Sequence, residues 1–171
     1  MKRKIFRGRC PWNGKKTITI YIAEEKWEDL IFKFGLTADL KLITKKWWQT
    51  EGCLNYFLRR FLKIDTPPLT LAKYNWAKHL IIIYPETVIL VFKVKDQDDL
   101  KKKLALRLAH EFKHAMDREG LKQMWTDAAN IPPKERKIFL EKTKKNFEDM
   151  AKEFAKNFSF LFSDIIEIEI K

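Results

Sequence analysis

The chain holds three histidines, and two of them stand four residues apart around a glutamate: His110, Glu111, Phe112, Lys113, His114. On an α-helix, positions i and i+4 lie on one face a turn apart, so both imidazoles can reach a single zinc ion. Glu111 sits beside them and can take a proton from a metal-held water without being a ligand itself. A hydrolytic zinc site needs a third protein ligand and leaves the remaining position to water. The expected centre is therefore one zinc held by His110, His114 and a downstream carboxylate, with Glu111 as general base.

The surrounding pattern predicts the helix that carries the pair. Asp96, Asp98 and Asp99 supply acidic groups at its positive end, and Leu100, Leu104, Leu108 and Ala115 form its apolar stripe. Gly120 is the predicted left-handed stop. The histidines fall on the flank of the stripe, beside Lys103, Leu106 and Arg107, which suits a cleft better than a buried structural pair. A second helical pattern covers residues 134–162 after Pro132 and Pro133. Two glutamates on it compete for the third ligand position. Glu148 lies on the side of Ala151 and Ala155, where small residues let another helix approach; Glu153 lies on the opposite flank, toward solvent. Glu148 is the preferred ligand.

The stretches "HEFKH" and "EDMAKEFA" together resemble the HExxH-plus-Glu zinc metallopeptidases called gluzincins. The second stretch is similar to the Glu-x-x-Ala-x-x-Phe-Ala motif of the ImmA/IrrE-like branch, and to the Glu-x-x-Ala-Asp pattern of the minigluzincins. The resemblance implies a zincin-like α+β fold, in which a small twisted, mainly antiparallel sheet packs on the HExxH helix and a long Glu-bearing helix. It implies His110, His114 and Glu148 as zinc ligands and Glu111 as base. The activity it implies is hydrolysis of peptide bonds in a peptide or protein substrate, by Glu-assisted attack of a zinc-bound water. Residues 87–94, just before the metal helix, would be the strand along which substrate lies. Residues 165–171 would either obstruct the cleft, as in a zymogen, or complete a sheet edge.

The chain departs from those families in two places. Lys152 stands where they usually place Asp or Asn, whereas Asn157 follows Glu153 at that spacing. No His, Tyr or Arg follows Arg136 to stabilise an oxyanion, leaving Lys152, Lys156, Tyr74, His79 and Tyr84 as candidates. A rival resemblance is to peptide deformylase, through Glu51, Gly52, Cys53 and Leu54 followed by the HExxH stretch. It implies a metal amidase site of Cys53, His110 and His114, although the glutamine-bearing motif that should precede the cysteine is absent. A non-enzymatic rival is a degenerate zincin serving as a DNA- or protein-binding module.

With 171 residues, 46% apolar, the chain can bury one core, and residues 17–171 are expected to form a single domain. Residues 1–16 hold seven Lys or Arg and no acid, out of a net charge of +12. They are expected to be a solvated basic arm, capable at most of weak nucleic-acid contact. No apolar run is long enough to span a membrane, and basic residues without an apolar stretch at 1–16 are not expected to act as a secretory signal; two cysteines make no disulfide framework, so a cytoplasmic location is expected. Periodicity predicts a strand over 17–23, a helix over 24–34 ended by Gly35, and a strand over 40–48. Residues 54–62 fit helix or strand, and 79–84 with 87–94 read as a hairpin. Trp47, Trp48 and Trp76 are expected to pack in the core.

Overall fold

Ile18, Ile20 and Ile22 alternate with Thr19 and Tyr21, and this period of two makes strand β2 (Thr17–Ala23), whose three isoleucines enter the core. In the computed structural model, which describes residues 1–49, 53–62 and 69–171, β2 is the centre of an antiparallel sheet. Its neighbours are β1 (Lys2–Arg9) and β6 (Ile166–Ile170). The basic segment expected as a solvated arm is therefore a strand of the sheet. Ile5 and Phe6 pack toward the core, while Lys2, Lys4, Arg7 and Arg9 stay exposed. An irregularity in register between Lys4 and Phe6 accommodates two consecutive inward residues. β6 pairs with β2 from Ile22 opposite Ile166 to Ile18 opposite Ile170, so the C-terminal segment completes this sheet edge.

A second sheet runs in the order β3 (Lys41–Thr44), β5 (Leu80–Ile83), β4 (Ala72–Asn75). β5 is parallel to β3 and antiparallel to β4, so the single, mainly antiparallel sheet of the sequence reading is two small sheets, one of them mixed. The Arg3 guanidinium donates to the Leu42 carbonyl at 2.7 Å and ties one sheet to the other. The hairpin is β4–β5, and its turn holds His79 at φ 46°, a left-handed conformation uncommon outside glycine. The expected strand over 87–94 is instead mostly helix α3 (Pro85–Val91). Pro85 presets the first helical turn, and Thr87 and Val88 are buried; a short apolar run does not by itself distinguish strand from buried helix. The strand over 40–48 is shorter than expected, and residues 54–62 resolve as helix α2 (Cys53–Phe61).

Helix α1 (Glu24–Lys33) ends as read, with Gly35 at φ 67°. Helix α4 (Gln97–Met116) starts where the Asp96 carboxylate accepts the Asp99 N–H at 2.8 Å. Its Leu100, Leu104, Leu108 and Phe112 are fully buried. The Phe112 ring meets Trp27, Phe34 and Phe162 edge-on at centroid distances of 5.0 to 5.6 Å. α4 stops at Asp117, not at Gly120, which lies inside α5 (Arg118–Ala129). A side chain at 120 would begin 3.1 Å from the Phe147 ring, so the glycine serves close packing of α5 on α6 (Pro133–Ser163). α6 also packs along α4, with Ala151 and Ala155 buried. The fold is α+β. No helix among the described residues is long and apolar enough to cross a membrane.

Candidate metal centre

The flank of α4 presents His110 and His114 with their Nε2 atoms 3.2 Å apart and their rings nearly perpendicular, at 83°. Because Ala151 and Ala155 let α6 lie close, Glu148 reaches both rings. Its Oε2 is 3.2 Å from His110 Nε2 and its Oε1 is 3.2 Å from His114 Nε2. Tetrahedral zinc bonded at about 2.0–2.2 Å to nitrogen and oxygen sets its ligands roughly 3.3–3.5 Å apart. The three donors therefore already stand close to that spacing. Among the described residues, they form the cluster of His, Cys, Asp or Glu ligand atoms that could hold a metal. Two imidazoles and one carboxylate are a donor set that zinc accepts, with room left for water.

Electrostatics favour the same use. Burial lowers the pKa of His110, and the nearby His114 adds to the effect while Glu148 opposes it. Burial also lowers that of His114, against the pull of Glu148 and Asp117. Neutral rings keep the lone pairs that a metal needs. Glu111, on the same helix, is 8% exposed, and burial pushes its carboxyl up to about 7. A hydrogen bond from the Tyr74 backbone and the charge of Arg107 work in the opposite direction; the charge of Glu148 adds to the rise. A carboxyl near 7 can both take and return a proton at neutral pH.

The cleft beside these groups has a volume of about 350 Å³. One side is β4, the outer strand of its sheet, through Ala72, Lys73 and Tyr74. The strand at the cleft is thus β4 and not residues 87–94. The opposite wall is α5, through Leu121, Met124 and Trp125, with Lys144 Nζ over the Trp125 ring at 4.7 Å. Sequence reading missed that wall. The spacing of Leu121, Met124 and Trp125 is an amphipathic signal, but treating Gly120 as a helix stop hid it. Trp76, expected in the core, also lines the cleft and is 37% exposed.

Glu153, the losing candidate for third ligand, is exposed on α6. Of the five possible oxyanion donors, Tyr74 lines the cleft. Its hydroxyl lies 2.7 Å from His79 Nδ1, and burial raises its pKa to about 12. His79 and Tyr84 are buried, whereas Lys152 and Lys156 are exposed. The Cys53 side chain, the third donor of the deformylase-like alternative, lies outside the described residues. No family model matches the chain, and neither a curated protein nor a solved structure matches it.

Proposed function

We propose that this protein is a zinc-dependent metallopeptidase of the gluzincin type. The observation that carries the reading is the triangle of His110, His114 and Glu148 donors, each pair 3.2 Å apart, with the buried Glu111 carboxyl on the same cleft. Zinc held there supplies a Lewis acid that polarises a scissile carbonyl and acidifies water. The two histidines act as neutral donors, and Glu148 contributes the negative charge that offsets part of the cation's. Glu111 takes the proton of the attacking water and returns it to the leaving amine, a double role that a carboxyl near 7 suits. β4, at the margin of its sheet, gives an extended peptide a backbone to pair with, and the Tyr74 N–H holds the Glu111 carboxylate in place. Leu121, Met124 and Trp125 offer apolar contact to a substrate side chain.

Metal analysis and digestion of a peptide library, read by mass spectrometry, test the proposal together. Wild type is expected to carry about one zinc per chain and His110→Ala almost none. Glu111→Gln is expected to keep its zinc and lose hydrolysis by roughly 10²–10⁴-fold. Full zinc occupancy in His110→Ala, or comparable turnover by Glu111→Gln, overturns the reading.

A further inference from the structure

The region between β3 and β4 carries a pattern that the metal centre does not use. Along α2, Leu54, Leu58, Phe61 and Leu62 recur at i, i+4, i+7 and i+8, within about 100° of one helix face. A stripe of this kind normally faces a core. Here the four side chains are 82%, 56%, 85% and 55% exposed. Trp48, in the 3-10 turn Trp47–Gln49 against which α2 packs, is also mostly exposed. Arg59 and Arg60 fall on opposite sides of the stripe, Lys45 and Lys46 precede it, and Lys63 follows. Against these five cations, residues 45–63 contain a single acid, Glu51.

We propose that α2 and the Trp47–Gln49 turn dock the protein on an anionic membrane surface, with α2 lying in the plane of the interface. An apolar face of Leu and Phe bordered by Arg and Lys, with tryptophan beside it, is the composition of a helix that lies on a bilayer. The arginine stems can follow the helix into the interface while their heads stay with lipid phosphates. Charge selects this occupant over a second copy of the chain. Stripe-to-stripe pairing would juxtapose two chains that each carry +12, whereas anionic headgroups offset that charge. At 9 residues, about 14 Å, α2 is far too short for the roughly 30 Å hydrocarbon core and can only lie on the surface. The inference does not depend on the metal reading, because none of these residues lines the cleft.

Co-sedimentation of the full chain with vesicles tests it, using phosphatidylcholine alone and an equimolar mixture of phosphatidylcholine and phosphatidylglycerol. Binding is expected for the anionic vesicles and is expected to weaken as salt is raised to 0.5 M, where screening shortens the reach of surface charge. Leu58→Ser with Phe61→Ser is expected to weaken binding by roughly 100-fold, and Arg60→Gln by roughly fivefold. Both positions of the double variant are exposed, so its circular dichroism and unfolding midpoint should match wild type. Absence of binding to anionic vesicles, or undiminished binding by the double variant, overturns the proposal. So does a concentration-dependent dimer that the double variant abolishes without any vesicle binding, which would assign the stripe to a second copy.

Discussion

Glu111→Gln is expected to stabilise the metal-free protein at alkaline pH, although the same change removes the carboxylate proposed as general base. Burial raises the Glu111 pKa from 4.5 to about 7, so the folded chain holds this proton more tightly than the unfolded chain does. Its contribution to stability is fully present below pH 4.5 and is lost as pH rises through about 7. A shift of about 2.5 pH units, at 1.36 kcal/mol per unit, is on the order of 3 kcal/mol. Glutamine has the same shape, can still accept the Tyr74 N–H and does not titrate. At pH 8 the chelator-treated variant should therefore unfold about 6–12 °C above chelator-treated wild type, for a chain of this size. At pH 4 the two should coincide. Thermal unfolding followed by circular dichroism at both pH values measures the difference, and the shared histidine titrations cancel in it. An equal gap at the two pH values, or a variant less stable at pH 8, refutes burial of a charged carboxylate as the source. If the result holds, the residue assigned to catalysis is one the apoprotein is strained to keep.

Side-by-side metal analysis of Glu148→Ala, Glu153→Ala and Cys53→Ser should show zinc lost in the first and retained at about one per chain in the others; retention in Glu148→Ala would remove α6 from the centre. Phe112→Ala deletes a fully buried ring that touches three other aromatic rings and should cost about 3–5 kcal/mol in urea unfolding. A cost under about 1 kcal/mol would mean that α4 is not seated in the core as described. Removing residues 165–171 strips β2 of its pairing along one side and should lower the unfolding midpoint without raising peptide hydrolysis. Increased hydrolysis from a folded, truncated protein would instead return that segment to the cleft.

Local chemistry made much of this fold legible from residues alone. β2, α1, α4 and α6 follow their periodicities because each has one face that must be buried and caps or breakers at its ends. The histidine pair is legible for the same reason, and Glu148 because Ala151 and Ala155 mark the side on which helices can approach. β1 was hidden by its charges: Lys2, Lys4, Arg7 and Arg9 read as an arm, yet they are simply the outward half of a strand. Residues 87–94 failed because an apolar run enclosed by other elements carries no period, and Pro85 tips it toward helix. Gly120 failed because its meaning is tertiary. Only the Phe147 ring of α6 shows that the glycine makes space inside a helix. The cleft wall on α5 depends on that docking, and so no local pattern announces it.

The pairing of β2 with β6 also bears on how the chain reaches its native state. Tyr21 and Glu169, which share a hydrogen bond in that sheet, are 148 residues apart. At ribosomal rates of about 5–20 residues per second, β2 waits on the order of 10 s for its partner strand. During that interval the β1–β2 hairpin has an uncovered edge, and Ile18, Ile20 and Ile22 lack β6 beside them. Such an edge invites association with other nascent chains, and closing so distant a contact is slow. The vulnerable species in synthesis is therefore this N-terminal hairpin. Its protection arrives only after both helices of the candidate metal centre have been made, which places sheet closure and assembly of the cleft in the same late step of folding.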